Sequence, residues 1–224
     1  MNLIKTINLK KTYITGKDIT TDALKGITLE IDTKEFLAIA GPSGSGKTSL
    51  LNILSALDMP TSGKVLFENK DITEKDINQL ADFRLNKIGF VFQSYNLINT
   101  LTAFENVEYI MLLQGRPTAE RKDKAEAILK RVGLGNYLNR FPNEMSGGQQ
   151  QRVAVARAIA AEPKVIIADE PTANLDSKTA GLLMDLMLEL NEEKGITFIF
   201  STHDPMIMKK AKRIIKLKDG LIEK

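Results

Sequence analysis

Cysteine is absent from this chain of 224 residues, and histidine occurs once, at position 203. The absence of cysteine excludes disulfides, thiolate zinc sites and cysteine nucleophiles, and it fits a reducing compartment. No stretch approaches the roughly 18 apolar residues that span a bilayer. The lysine-interrupted start of the chain also lacks the apolar stretch of a signal peptide. We therefore expect a cytosolic location, with any membrane role supplied by a partner.

A large excess of charge of either sign is also missing. Lysine and arginine total 31 against 28 acidic residues, which leaves a formal net charge of +3, and the signs mostly alternate along the chain. This balance does not favour nucleic acid as a partner. Hydrophobic residues make up 43% and charged residues 26%, so we expect one globular unit over residues 1–224 with room for a subdomain.

Short apolar runs alternate with helical patterns along the chain. Residues 2–32 alternate apolar and polar side chains, which predicts an antiparallel sheet. A fully apolar run at 36–40 and mainly apolar runs at 164–168 and 196–200 predict buried parallel strands. A helix is predicted at 49–57, and another between the last two strands, where Leu182, Leu183, Leu186, Met187 and Leu190 precede Gly195. This alternation predicts an α/β fold with a mostly parallel sheet.

The middle of the chain has a different pattern. Residues 119–132 place Ala125, Ile128, Leu129 and Val132 on one helical face among many charges. We therefore predict an inserted α-helical subdomain at 94–150, between two parts of the α/β core at 1–93 and 151–224. A hairpin is predicted at Lys218-Asp-Gly220.

A glycine-rich segment between the apolar run at 36–40 and the helix predicted at 49–57 matches the phosphate-loop (P-loop) pattern in full. Glycines let backbone N–H groups turn inward around an anion, and the following helix adds positive potential. Lys47 is expected to reach the outer phosphates, and the Thr48 hydroxyl suits Mg²⁺. The predicted nucleotide-binding residues are Gly41, Pro42, Ser43, Gly44, Ser45, Gly46, Lys47, Thr48 and Ser49. The alternative is a simple glycine-rich turn.

The identity of the nucleotide needs a second criterion, since phosphate loops also serve GTPases. Asn69-Lys-Asp71-Ile72 resembles a guanine-recognition pattern but has Ile72 where the base-binding aspartate belongs. GTP is therefore disfavoured.

Two carboxylates, Asp169 and Glu170, end a predicted buried strand. Burial of carboxylates is costly unless a metal or reactant compensates. We expect Asp169 to face Mg²⁺ and Glu170 to act on the attacking water as a general base. The alternative is a strand end that turns towards solvent.

Met145-Ser-Gly-Gly-Gln149 resembles the signature of ATP-binding-cassette proteins. In that family the signature begins a helix and contacts the γ-phosphate of ATP held by the other subunit, which implies this role for Ser146, Gly147, Gly148 and Gln149. Physically the segment is a second anion cradle. Met145 stands where leucine is usual, a nearly isosteric change.

The resemblance covers essentially the whole chain and implies further site residues. Gln93 is similar to the glutamine that approaches Mg²⁺ and water, and His203 to the histidine near the γ-phosphate. Asp176 lies in a segment similar to the loop that crosses to the partner, although Ala173 replaces a common glycine or serine. Tyr13 resembles the aromatic residue that stacks on adenine. A structural histidine and an ordinary strand aromatic are the alternatives.

Within the family, the motifs look most like the lipoprotein-releasing and macrolide-exporter branch. This resemblance implies a transport-coupled ATPase that dimerises head to tail around two ATP molecules. It also implies a separately encoded membrane permease, which would hold the chain on the inner face of the cell membrane. Tyr95 and Leu97 would then either form part of the groove for the permease or belong to the subdomain core.

Three alternatives differ in function. A cell-division or antimicrobial-peptide-resistance cassette, which transmits force or signal without classical transport, shares much of the sequence of these motifs. A DNA-repair or chromosome ATPase would need a long coiled coil or zinc modules between the motifs, and the sequence has neither. A nucleotide-gated module with little hydrolysis is disfavoured by the presence of both Glu170 and His203.

Overall fold

The computed structural model describes residues 2–15 and 19–223, and these form two sheets flanked by helices. The strands are β1 (Asn2–Thr15), β2 (Ile19–Asp32), β3 (Phe36–Ala40), β4 (Ser62–Phe67), β5 (Lys70–Asp71), β6 (Ile88–Val91), β7 (Val165–Ala168), β8 (Thr197–Thr202), β9 (Arg213–Lys218) and β10 (Leu221–Ile222). The helices are α1 (Lys47–Leu54), α2 (Ile77–Lys87), α3 (Ala103–Leu113), α4 (Thr118–Arg131), α5 (Gly147–Ala160), α6 (Ser177–Lys194) and α7 (Pro205–Met208). A 3₁₀ turn at Pro142–Glu144 precedes α5.

The larger sheet has the strand order β10-β9-β3-β8-β7-β6 among the described residues. The pairs that join β9, β3, β8, β7 and β6 are all parallel, and β10 joins β9 as the predicted antiparallel hairpin. The smaller sheet is antiparallel, in the order β2-β1-β4-β5. The predicted α/β fold with a mostly parallel sheet and an N-terminal antiparallel sheet is therefore confirmed.

The central strand β3 is buried along its whole length, because the sheet is covered on both faces. One face packs against α1 and the antiparallel sheet, with Ile39, Leu50 and Leu51 in that core. The other face packs against α6, where the rings of Phe36 and Phe200 lie 5.1 Å apart. Packing on both faces holds the sheet in place. Because the strands are parallel, their carboxyl ends lie along the same edge of the sheet.

A third hydrophobic cluster joins α3, α4 and α5. On the predicted face of α4, Ala125, Leu129 and Val132 are buried, and Ile128 is half-buried against the same cluster. Helix α5 continues across the predicted boundary at residue 150, and the division into 1–93, 94–150 and 151–224 stays a prediction. Within residues 2–15 and 19–223, no helix combines the length and the apolar character needed to cross a bilayer.

Several element bounds differ from those predicted. Helix α1 begins at Lys47, two residues earlier than predicted, because Gly46 takes a left-handed conformation with φ of 101° and turns the loop directly into the helix. Strand β8 extends to Thr202, since its pairing with β3 continues to the end of that strand. On α6, Leu182 is 62% exposed while Leu183 is buried, so Leu182 lies off the core face.

Candidate active site

The phosphate loop connects β3 to α1 at the carboxyl edge of the parallel sheet. A side chain at Gly46 would overlap the backbone oxygen of Ala23 and would have to adopt a positive φ, so only glycine fits there. The buried Ser45 Oγ has no hydrogen-bond partner among the described residues. A buried hydroxyl without a partner is uncommon and indicates a ligand-binding loop here.

The side chain of Lys47 lies along this loop. Its Nζ donates hydrogen bonds to the carbonyl oxygens of Gly41, at 2.8 Å, and Pro42, at 3.0 Å. The same Nζ is 3.8 Å from Glu170 Oε1. The ammonium group is therefore held at the mouth of the loop, close to the second strand-end carboxylate.

Asp169 and Glu170 follow β7 and face the phosphate loop. The Thr48 hydroxyl donates to Asp169 Oδ2 at 2.9 Å, which joins the start of α1 to the end of β7. Glu170 has a φ of 43°, unusual for a non-glycine residue. Its carboxylate lies 3.1 Å from His203 Nδ1. The structure thus brings together four residues that the sequence separates by up to 155 positions (203 − 48).

Gln93 follows β6, the edge strand next to β7, and its side chain is exposed. The Asn174 side-chain amide donates to the Gln93 carbonyl oxygen at 2.9 Å. This bond connects the loop after β6 to the loop before α6.

Tyr13 lies on β1 and is 37% exposed. Its hydroxyl donates to Asp58 Oδ2 at 2.9 Å, and Lys11 Nζ lies 4.8 Å from the centre of its ring. Burial raises the pKa of Asp58, but hydrogen bonds from Lys11 and Tyr13 outweigh this effect, so that the pKa lies below its ordinary value. The charged Asp58 and Lys11 therefore fix the orientation of the ring.

A single pocket of about 650 Å³ gathers most of the predicted residues. Those that line it are Tyr13, Pro42, Ser43, Gly44, Gly46, Lys47, Thr48, Ser49, Gln93, Asp169, Glu170 and His203. Gly41 lines an adjacent pocket, and Ser45 is buried beneath the loop. Thr21, Asp22 and Ala23 also line the pocket, although no sequence motif predicts them there. Antiparallel pairing of Tyr13 with Thr21 places them there, and strand register is the signal that could have found them.

The signature segment lies elsewhere. Ser146 caps α5: its hydroxyl accepts from Gln149 N at 3.4 Å, and Gln149 Oε1 accepts from Ser146 N at 2.9 Å. A side chain at Gly148 would approach Thr179 Cγ2 within 2.6 Å, so the start of α5 packs closely on α6. Of the described residues that line the nucleotide-site pocket, none belongs to 146–149. Within the described part of one chain, the signature therefore lies outside the pocket that contains the phosphate loop.

Asp176 caps α6 beside this contact. Its carboxylate accepts hydrogen bonds from the Thr179 hydroxyl, at 2.6 Å, and from the Thr179 and Lys178 backbone N–H groups. The bond from the Thr179 hydroxyl makes the largest contribution to a lowered pKa of Asp176. The predicted crossing loop and the signature are therefore neighbours.

Arg157 was missed by the sequence analysis because an arginine within a helix carries no local motif. From α5 it donates to the carbonyl oxygens of Tyr95, at 3.1 Å, and Asn96, at 2.6 Å. Burial lowers the pKa of Arg157. The Tyr95 hydroxyl packs against Gly147, and Leu97 packs against the α3–α5 cluster. The segment after Gln93 is thus attached to the signature helix.

The family model described as "ABC transporter" matches residues 24–173. This chain belongs to the ABC transporter family. An uncharacterized ABC transporter ATP-binding protein, MJ1508 of Methanocaldococcus jannaschii, is 50% identical over 220 residues, which is 98% of this chain and 97% of that protein. The lipoprotein-releasing system ATP-binding protein LolD 1 of Rhodopseudomonas palustris is 44% identical, over 99% of this chain and 98% of that protein.

Two further relatives extend the family comparison. The macrolide export ATP-binding/permease protein MacB of Syntrophobacter fumaroxidans is 44% identical over 100% of this chain and 31% of its own length. A dimeric, post-hydrolysis structure of the ATP-binding cassette MJ0796 bound to ADP and Pi superposes with a TM-score of 0.92, at 46% identity over 99% of this chain and 97% of that chain. The predicted family and fold are confirmed, and the chain is an ABC ATPase of the LolD/MacB-like branch.

Proposed function

We propose that the 650 Å³ pocket binds ATP and that Glu170 promotes its hydrolysis. The observation that carries this proposal is the convergence of Lys47, Thr48, Asp169, Glu170 and His203 on one pocket. The loop glycines present backbone N–H groups to the phosphates, and Lys47 exchanges its bonds to the loop carbonyls for the outer phosphates.

The residues present fit Mg²⁺. Thr48 and Asp169 supply oxygen ligands 2.9 Å apart, the ligand type that Mg²⁺ prefers. Among residues 2–15 and 19–223 no group of three His, Cys, Asp or Glu side chains forms an all-protein metal cage. Mg²⁺ is usually held by one or two carboxylates together with substrate phosphates, and the Asp169 carboxylate beside the Thr48 hydroxyl fits that arrangement. Thr48, Asp169 and Gln93 would hold the ion, which neutralises charge on the phosphates when bound.

Glu170 is the proposed general base. Its carboxylate accepts a proton from the attacking water. His203 Nδ1 lies 3.1 Å from this carboxylate and orients the carboxylate group. Lys47, at 3.8 Å, keeps a positive charge beside both the carboxylate and the γ-phosphate position. Together these groups stabilise charge as the phosphate departs.

The signature completes the site from a second copy of the chain. Residues 146–149 are absent from the lining of the pocket in one chain, and the structure of the MJ0796 cassette, at 46% identity, is dimeric. A head-to-tail, isologous dimer would place each signature opposite the other chain's phosphate loop, with Asp176 near the crossing. ATP would then hold the dimer closed, and hydrolysis would open it.

We also propose a separately encoded permease of the lipoprotein-release or macrolide-export type as the membrane partner. The similarity to LolD and to the ATP-binding part of MacB supports this type of partner. The chain would lie on the cytoplasmic face of the membrane through this contact, and no role with nucleic acid is proposed.

Phosphate release from ATP by the purified chain, measured with and without Mg²⁺, tests the proposed function. We expect turnover that requires Mg²⁺ and saturates with ATP. Binding of ATP without any turnover would contradict the assignment of Glu170 as a catalytic base.

Tyr13→Ala is expected to raise the KM for ATP while changing kcat little. Stacking of an aromatic ring on a base contributes about 1–3 kcal/mol, which corresponds to a rise in KM of roughly 5-fold to 160-fold. Steady-state kinetics measure it, with Tyr137→Ala, an exposed aromatic outside the pocket, as the control. An unchanged KM would exclude Tyr13 as the adenine platform.

Ile98→Asp is expected to uncouple the permease without impairing the isolated chain. Ile98 is 39% exposed and lies in the segment attached to the signature helix. A docked permease would bury a charge introduced at this position, which is costly. ATPase of the isolated variant should stay within about twofold of wild type, while stimulation by the permease falls roughly tenfold. Ile77→Asp, at a site 78% exposed on α2, is the matched control. Normal stimulation of the Ile98 variant would place the permease elsewhere.

A further inference from the structure

One fully buried hydroxyl, that of Ser201 in β8, bridges both strand-end carboxylate residues. It donates to Asp169 Oδ1 at 2.6 Å and accepts from the Glu170 backbone N–H at 2.8 Å. A serine hydroxyl has one proton and two lone pairs, so both bonds form at the same time. The pairing of Ala168 with Phe200 in β7 and β8 brings Ser201 beside the turn.

The first hydrogen bond gives the two oxygens of the Asp169 carboxylate different partners. Ser201 occupies Oδ1, while Oδ2 accepts from Thr48 at 2.9 Å. Ser201 of β8 therefore holds one oxygen of the Asp169 carboxylate, and the other oxygen faces the start of α1. A carboxylate fixed in this way presents one defined oxygen to a cation in the pocket.

The second bond supports the unusual backbone of Glu170. A φ of 43° is unfavourable for a glutamate and persists only where its surroundings hold it. The bond to Ser201 satisfies the N–H group in this conformation, from which the side chain reaches His203 and the neighbourhood of Lys47.

We infer that Ser201 is a positioning residue for hydrolysis, which sets the Asp169 carboxylate towards Mg²⁺ and the Glu170 carboxylate towards water. It acts through these two residues and does not line the pocket. This inference rests on the proposed function, in which Asp169 and Glu170 carry those roles.

Ser201→Ala tests the inference against Thr197→Val. Thr197 is a buried hydroxyl residue at the other end of β8, and its Oγ1 accepts from Lys34 N at 2.9 Å. Each variant therefore removes one buried hydroxyl from the same strand and leaves one backbone N–H without its partner. Only Ser201 contacts the two carboxylate residues.

We expect Ser201→Ala to lower kcat by about 10–100-fold, the usual effect of removing an outer-shell partner at a metal site. Mg²⁺ is expected to strengthen the binding of a non-hydrolysable ATP analogue. In Ser201→Ala the ratio of the affinities with and without Mg²⁺ should be about tenfold smaller than in wild type. Binding of that analogue without Mg²⁺ should stay within about twofold of wild type, because the phosphate loop is unchanged. Ser201→Cys, with a weaker donor and acceptor, should lie between serine and alanine.

Thr197→Val should lower the melting temperature to a similar extent and leave kcat and the Mg²⁺ effect within about twofold of wild type. Equal losses of kcat in the Ser201 and Thr197 variants would show a merely structural role and overturn the inference. Wild-type kcat in both Ser201 variants would overturn it too. If Glu170→Gln still abolishes turnover in that case, the proposed function stands and only the role of Ser201 fails.

Discussion

Glu170→Gln is expected to lower ATP turnover by about 10²–10⁴-fold, the usual contribution of a general base. Glutamine keeps the size of the side chain and its contact with His203, but it does not accept the proton of the attacking water. Phosphate release under saturating ATP measures this change. Glu192→Gln removes the same charge from α6, away from the pocket lining, and should turn over ATP as wild type does.

Nucleotide binding separates this result from a damaged site. Because Lys47 and the loop N–H groups are unchanged, the Glu170→Gln variant should bind ATP at least as tightly as wild type. Retention of more than about a tenth of wild-type turnover would exclude Glu170 as the base and direct attention to His203.

Two inactive variants are expected to restore each other's activity. Lys47→Ala removes the phosphate-binding ammonium, and Ser146→Asp keeps a good helix cap at α5 while it places a negative charge where the γ-phosphate of the partner's ATP would lie. Each variant alone should lose about 10²-fold or more of kcat/KM. In a mixed dimer, one site combines the intact loop of one chain with the intact signature of the other.

Equal mixing of the two variants should recover up to about a quarter of wild-type turnover, since half of the dimers are mixed and each has one intact site of two. Thr102→Asp, a matched change at the cap of α3, should be active alone. If mixing restores nothing while each variant still binds to the other, the signature does not act across the dimer.

The parts of the molecule that follow from local pattern were predictable from the sequence. The apolar run at 36–40 forms β3 as predicted, since a strand buried on both faces carries its signal in five consecutive residues. The phosphate loop and the strand-end pair Asp169 and Glu170 also have local signatures, and the parallel topology brings them to one edge of the sheet. The predicted roles of these residues remain predictions.

The parts that depend on tertiary contact were not predictable in the same way. Ser201 carries no motif, and its importance lies in two hydrogen bonds to residues 31 and 32 positions earlier. Lys11 and Asp58 likewise meet at Tyr13 only after the chain has folded. Such contacts require the strand register and the loop path, which side-chain periodicity does not specify.

In the proposed function, one chain supplies only half of each catalytic site. The most direct test is the molar mass of the Glu170→Gln variant, measured by light scattering with and without ATP. A shift from 24.8 kDa to twice that mass on addition of ATP is the predicted result. A chain that binds ATP and stays at 24.8 kDa over the concentrations tested would contradict a site shared between two chains.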